Sequence, residues 1–478
     1  MVGGVFDLVI VGMGSAGLTA AEFAARLDLD VAVVERAKVG GDCLWSGCVP
    51  SKALLASARI AHAMRTADRF GIAAVEPSID LARVWRRVRA VQAEIAATDD
   101  DPQRFRDMGV EVVWGEARVT APEEVTVALP DGGERVLATR FVLLCTGSRP
   151  HVPDIPGLPP GATWTNDTFF HIDAPPSSVA IVGGGPMGTE MAQALQRLGV
   201  EVTVFQRAHT LLPHEDEGLA TRLTDLLERE GVIVHCSADV RRVMSHGGVH
   251  TVHATVGNEG RDVAVDVGGI LIAAGRVPNV DHLGLDELGI TVGPEGIEVD
   301  AAGRTNVRSV YAVGDVTRGH DLTNAAGYEA VVAVRDMFFP GRGAADGTVP
   351  RCVFTEPELA RVGLTVLEAE ARYGADVDAW RLDLDRNDRA RTDSATDGGL
   401  VLVTAKGRIV GAHVLAPHAG ELVHELAVAV HQQLRLDDLA DVVHAYPTIS
   451  GGIGQLATEA AYEKAHRLRW LMKKRPTR

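Results

Sequence analysis

Phe6-Asp7-Leu8-Val9-Ile10-Val11-Gly12-Met13-Gly14-Ser15-Ala16-Gly17 is the stretch on which the reading of the fold turns. A short apolar run that stops at a glycine is the pattern of a strand buried on both faces of a parallel sheet. A helix-like stretch follows through Arg26, and a second strand, Val31 to Val34, ends in Glu35. This is a βαβ unit in the right order, with a G-x-G-x-x-G loop at the first strand-to-helix turn. Each glycine has its own physical reason. Gly12 allows the tight turn, Gly14 lets a pyrophosphate approach the backbone, and Gly17 permits close packing of helix on strand. The free N–H groups at the helix start meet phosphate charge, and Glu35 is placed to accept hydrogen bonds from ribose hydroxyls. Three such glycines alone could be a turn cluster. The flanking strand, helix and acid favour a dinucleotide site.

The same pattern returns at Val179–Val182, with Gly183, Gly185 and Gly188 in the loop, a helix to about Leu198, and a strand Val202–Phe205. Residues 111–140 alternate apolar and polar with turn signals, which predicts an antiparallel meander. Residues 150–160 are rich in proline and glycine and read as a linker. Past residue 348, strand-like segments (352–354, 399–404, 409–415) alternate with helical ones (365–373, 420–433), the mark of a separate α+β domain. A last helix is expected from about Ile453 toward Leu471. The predicted fold class is therefore α/β: two Rossmann-like, three-layer dinucleotide-binding domains plus a C-terminal α+β domain.

At 478 residues the chain is long enough for roughly three domains, and its 46% hydrophobic and 23% charged fractions are those of a globular protein. A formal net charge of -17 argues against general nucleic-acid binding. The N-terminal apolar stretch, Val5 to Val11, is too short for a secretory segment and contains Asp7, and no stretch reaches the ~18 apolar residues of a membrane helix. A cytoplasmic protein is expected. The five cysteines, Cys43, Cys48, Cys145, Cys236 and Cys352, are too sparse for a secreted disulfide framework. No zinc-like cluster is visible, and no metal ligands are assigned.

Two of the cysteines stand in Gly40-Gly41-Asp42-Cys43-Leu44-Trp45-Ser46-Gly47-Cys48-Val49-Pro50-Ser51-Lys52, followed by a helix-like stretch, residues 53–64. Pro50 suits the first turn of that helix. Its positive end, and Lys52 one turn in, would both stabilise a thiolate. The alternative, two unrelated buried cysteines, fits poorly with glycine and proline on both sides.

This stretch resembles the redox-active segment of the flavoprotein disulfide reductases, the family of dihydrolipoamide dehydrogenase, glutathione reductase and mercuric reductase. The resemblance covers essentially the whole chain. Cys145-Thr146-Gly147 stands where the family has Ala-Thr-Gly. Ala274-Gly275-Arg276-Val277-Pro278-Asn279 is similar to the segment closing the nicotinamide domain. Val310-Tyr311-Ala312-Val313-Gly314-Asp315 is similar to the second FAD motif. Phe354-Thr355-Glu356-Pro357-Glu358 and Gly411-Ala412-His413 are similar to the interface domain.

The resemblance divides the chain into an FAD-binding domain (1–150), a nicotinamide-binding domain (151–276), a central FAD-contacting segment (277–348) and an interface domain (349–478) through which the family forms homodimers. It implies FAD held by Gly12, Gly14, Gly17, Glu35, Gly41, Lys52, Thr146, Gly147 and Asp315. It implies a nicotinamide cofactor on Gly183, Gly185, Gly188, Arg207 and Gly275. Cys48 would be the flavin-proximal thiol, Cys43 the thiol that meets substrate, and Lys52 would pair with Glu190. An NADH-preferring site would place an acid near Gln206. Here Gln206-Arg207 stands instead, and a guanidinium can grip a 2′-phosphate, so NADPH is expected over NADH. The plainer reading of Arg207 is a solvated surface charge.

One part of the pattern breaks. Disulfide-exchanging members carry His-Pro in the interface domain with Glu four residues beyond the Pro. This sequence reads His444-Ala445-Tyr446-Pro447-Thr448-Ile449-Ser450-Gly451, with Tyr446 at the histidine position and Gly451 at the glutamate position. A tyrosine pKa of ~10 does not suit proton transfer at neutral pH, where a histidine at ~6.5 does. His444 is two residues out of step and would need a changed path to substitute. Tyr446 resembles mercuric reductase, which however also uses a C-terminal cysteine pair, and this sequence ends Lys473-Lys474-Arg475-Pro476-Thr477-Arg478. The expected activity is an FAD-dependent NAD(P)H oxidoreductase passing electrons through Cys43 and Cys48 to a metal ion, quinone or other small acceptor. The alternatives are dihydrolipoamide dehydrogenase or another low-molecular-weight disulfide reductase, and a non-enzymatic flavin redox sensor. The basic stretch 466–475 could touch an anionic membrane surface, though a solvated terminus is the simpler reading.

Overall fold

A computed structural model describes residues 4–317, 322–341, 343–345 and 347–467. The basic tail beyond residue 467 lies outside the described residues.

The first sheet is built around Phe6–Val11. It pairs in parallel with Val31–Glu35 on one side (Leu8 opposite Val31) and with the second half of Glu134–Leu144 on the other (Val9 opposite Val142). Glu111–Trp114 adds in parallel beyond Val31–Glu35, and Val310–Ala312 adds in parallel to Glu134–Leu144. The residues of Val31–Glu35 are all buried, as a strand with both faces covered requires. The expected meander is present as Glu116–Ala121, Glu124–Ala128 and the first half of Glu134–Leu144. Its first expected segment is different: Glu111–Trp114 belongs to the parallel sheet. Four alternating residues look alike in either pairing, and tertiary contact decides.

The second sheet is wholly parallel, in the order Ile233–His235, Glu201–Phe205, Ser178–Val182, Gly269–Ile272, Thr163–Trp164. A three-stranded antiparallel sheet over residues 238–267 follows it. The C-terminal part is a five-stranded antiparallel sheet, residues 351–353, 358–363, 408–416, 399–405 and 377–383 in spatial order, with the helices Ala419–His431 and Gly451–Arg467. This is the expected α/β class, with two nucleotide-binding units and an α+β domain.

One apolar cluster fixes how the parts meet. It joins Ala53, Leu54, Ala58 and Ala61 of the helix Cys48–Arg65 to Met191, Ala194 and Leu195 of the helix Pro186–Arg197, and continues to Leu359 and Val401 of the C-terminal sheet. Alanines on the facing side let the two helices approach closely. Trp85, fully buried, closes this core and donates from Nε1 to the Phe169 carbonyl at 3.1 Å. The cysteine-bearing helix, the second nucleotide unit and the C-terminal sheet thus share this core, while the strands and helix of the first unit pack in clusters of their own.

Candidate active site

The third glycine of each loop shows the loops to be one construction used twice. A Cβ on Gly17 would sit 2.0 Å from the Gly12 carbonyl oxygen, and a Cβ on Gly188 would sit 2.0 Å from that of Gly183. Any side chain would push the helix off the strand. At Gly185, by contrast, a Cβ would meet nothing within 4 Å, so the loop faces open space. The acceptor at the end of the following strand also repeats. Glu35, buried, accepts from Met13 N at 2.8 Å and Ala37 N at 2.7 Å. Gln206, buried, accepts from Gly184 N at 3.1 Å.

One cavity of about 1590 Å³ runs between the two units, larger than the ~300–1,000 Å³ of an ordinary ligand pocket. Its wall includes Gly12, Gly14, Glu35, Gly41, Cys43, Cys48, Thr146, Gly147 and Asp315 at one end, and Gly183, Gly185, Arg207 and Gly275 at the other. Gly17, Gly188, Lys52, Glu190 and Tyr446 are not part of that wall. Two glycine loops on one cavity, each with a strand-end acceptor, fit two dinucleotides.

Cys43 lies on a short helix, Gly41–Trp45, and Cys48 is the first residue of the helix Cys48–Arg65. The helix thus starts at Cys48, with Pro50 inside its first turn as expected, where no N–H partner is needed. Cys48 Sγ is 3.3 Å from Thr323 Oγ1. The Cys48 thiol is lowered to about 6 by a hydrogen bond from Cys43, the hydroxyl of Thr323 and the charge of Lys52, against the cost of burial. Cys43 moves the other way, because it shares its proton with Cys48 and is itself buried. Burial also pushes up Cys145, Cys236 and Cys352, so among the cysteines Cys48 alone favours the thiolate. A second cavity, about 680 Å³, reaches Cys43 together with Ser15 and Thr323, whereas Cys48 faces the large cavity only.

Behind Cys48, Lys52 Nζ donates to both Glu190 oxygens at 2.9 and 3.1 Å and lies 4.4 Å from the centre of the Phe354 ring. Glu190, 3% exposed, also accepts from Phe354 N at 2.9 Å. The expected pair is thus made, between the helix of the redox stretch and the helix of the second unit. Asp315 accepts from Ser148 Oγ at 2.7 Å, and Arg276 bonds both Ser148 and Asp42. Arg276 ties the redox segment to the second FAD motif. The sequence shows Arg276 inside a motif but gives no sign of this tie. It gives no sign of Thr323 either, whose partner is 275 residues away.

Tyr446 is 82% exposed and donates to Asp388 Oδ2 at 3.0 Å. His444 points the other way, bonding Glu425 at 2.9 Å and Val442 O at 3.2 Å. The two residues are not interchangeable in this fold.

Comparison with known proteins identifies the family. The pyridine nucleotide-disulphide oxidoreductase model matches residues 6–330, and the dimerisation domain of the same family matches residues 349–457. The chain belongs to the pyridine nucleotide-disulphide oxidoreductases, FAD-dependent enzymes. It is 33% identical to a dihydrolipoyl dehydrogenase of Chlorobaculum tepidum over 95% of this chain and 97% of that one. It is likewise 33% identical to a mercuric reductase of Shigella flexneri over 94% of this chain and 80% of that one. Among solved structures, the Cu(II) complex of the HOCl-induced flavoprotein disulfide reductase RclA from Escherichia coli superposes with a TM-score of 0.84 at 26% identity, covering 96% of this chain and 100% of that one. No helix among the described residues is long and apolar enough to cross a membrane.

Proposed function

We propose that this oxidoreductase passes electrons from NADPH, through FAD and the Cys43–Cys48 pair, to a metal ion such as Cu(II) or Hg(II). The observation that carries the acceptor is Tyr446: at the position of the family's histidine base stands an exposed phenol bonded to a carboxylate. Thiol–disulfide exchange with a small disulfide needs a proton at the leaving sulfur; reduction of a metal ion does not. Mercuric reductase and a copper-bound RclA among the relatives support the same reading.

When bound, FAD supplies a two-electron carrier between nicotinamide and sulfur. The chain does the rest. Gly12, Gly14, Gly41, Thr146, Gly147 and Asp315 hold the flavin nucleotide with Glu35 at its ribose. Gly183, Gly185 and Gly275 hold the nicotinamide nucleotide. Arg207 is exposed, lines the cavity and forms no ion pair among the described residues, which leaves it available to a 2′-phosphate. Gln206 brings no negative charge against it. Lys52 and Glu190 orient the helix start behind Cys48. Cys43 and Cys48, as a dithiol, give two electrons and two protons to return to the disulfide, reducing two Cu(II) to two Cu(I) or one Hg(II) to Hg(0). The exposed Val428, Val443 and Tyr462 of the C-terminal domain would be covered in a homodimer.

Dihydrolipoamide oxidation is the second reading, favoured by the 33% identity to dihydrolipoyl dehydrogenase. An anaerobic acceptor screen with NADPH separates the two. Turnover with Cu(II) or Hg(II), lost in Cys43→Ala and Cys48→Ala, is the expected result. Efficient turnover of lipoamide or another small disulfide at neutral pH, with none of the metals, would overturn the proposal. Quinone reduction that survives both substitutions would do the same.

A further inference from the structure

We propose that Thr323 decides which of the two reduced cysteines carries the negative charge, by giving its single hydroxyl hydrogen to Cys48. The inference concerns the dithiol itself and does not depend on the identity of the final acceptor.

The geometry is specific. Thr323 Oγ1 lies 3.3 Å from Cys48 Sγ, and Thr323 lines the second cavity together with Cys43. Among the described residues the hydroxyl bonds to nothing but sulfur. Thr323 opens the helix Thr323–Phe338, and the residue before it, Leu322, offers no side-chain cap. Leu322, Thr323 and Ala326 line the large cavity, so the start of this helix, which carries partial positive charge, lies at its wall. The helix Ser15–Ala25 starts at the same two cavities. The two helices come together because Gly327 has no side chain: a Cβ there would be 3.2 Å from Thr19 Oγ1. Thr323, Ser15 and Cys43 line both cavities, so Thr323 stands where the flavin side and the Cys43 side meet.

The chemistry follows from donor counting. A hydroxyl has one hydrogen and can donate it to one sulfur at a time. Bonds to an ionised acceptor are roughly twice as strong as neutral ones, so this donor favours the thiolate form of the sulfur it touches, Cys48. Cys48 then receives two donors, Cys43 S–H and Thr323 O–H. Cys43 keeps a proton and faces the second opening. The β-branch of threonine restricts the rotamers open to the hydroxyl. Valine keeps the shape and removes the donor; serine keeps the donor.

The test uses the FAD-loaded protein, reduced anaerobically with NADPH. Thiolate-to-flavin absorbance is followed against pH in wild type, Thr323→Val and Thr323→Ser, with flavin content and Tm as controls of folding. Thr323→Val should move the midpoint up by about one to two pH units, the size of one hydrogen bond to a charged group, and Thr323→Ser should stay close to wild type. At pH 7, iodoacetamide labelling read by peptide mass should shift toward Cys43 in Thr323→Val. A wild-type midpoint in Thr323→Val, or an equal displacement in Thr323→Ser, would overturn the proposal.

Discussion

Lys52 and Glu190 form one ion pair, yet removing its two members should move Cys48 in opposite directions. The ammonium of Lys52 stabilises the Cys48 thiolate, and the carboxylate of Glu190 opposes it. Lys52 sits four residues after Cys48 in the same helix, a spacing that places side chains ~6 Å apart. At an effective dielectric of about 20, a unit charge at that distance is worth roughly 3 kcal/mol, or about two pKa units. Lys52 is 36% exposed and neutralised by Glu190, so solvent and the partner reduce this to about one unit. Lys52→Met should therefore raise the Cys48 midpoint by about one unit. Glu190→Gln should lower it by a similar or smaller amount, because it leaves the ammonium without its counter-charge. The glutamine also presents N–H groups where Lys52 and Phe354 N already donate, and a buried donor left unpaired costs about 1–3 kcal/mol of stability. The assay is the pH dependence of thiolate-to-flavin absorbance in the anaerobically reduced protein, with thermal unfolding alongside. Shifts of the same sign in the two variants would refute the electrostatic account. So would an unmoved midpoint in Lys52→Met.

In wild type the lowered Cys48 thiol, at about 6, should leave about nine-tenths of Cys48 as thiolate at pH 7 and about one-tenth at pH 5. The long-wavelength absorbance of the reduced enzyme should fall accordingly with acid, not with base; a midpoint near 9 would contradict it. Arg207→Ala should raise KM for NADPH roughly tenfold or more while leaving KM for NADH unchanged, since one guanidinium–phosphate contact is worth about 1.5–3 kcal/mol. Steady-state kinetics with both nucleotides reads this directly, and equal effects on the two would remove Arg207 from the phosphate site. Gly188→Ala should weaken nicotinamide binding and lower Tm by several degrees, because its Cβ would stand 2.0 Å from the Gly183 carbonyl oxygen. A variant with wild-type affinity and Tm would show the contact to be slack.

The nucleotide units were legible because their constraints are local. The glycine spacing, the apolar strand before it and the polar residue ending the next strand all fall within about thirty residues. The helix Gly41–Trp45 was not legible: five residues with glycine at the start show no helical period. The thiolate donor Thr323 and the Tyr446 partner Asp388 were not legible either, because they meet their partners across 275 and 58 residues. A hydroxyl or carboxylate in such a place carries no local pattern.

The stretch from His444 to Pro447 shows how a single space can settle what spacing leaves open. In the sequence, His444 and Tyr446 stand two apart, and either could be imagined facing a substrate. In the fold, His444 is turned inward, its side chain 10% exposed and its Nε2 against Glu425. The room for that ring comes from Gly454: a Cβ there would lie 2.6 Å from His444 Nδ1. One residue without a side chain, ten positions along the chain, holds the imidazole inside the C-terminal domain. Tyr446 is thereby the group presented at the surface, so the missing histidine base is not restored by the histidine beside it. An acceptor that needs no proton from that position is what this surface suits.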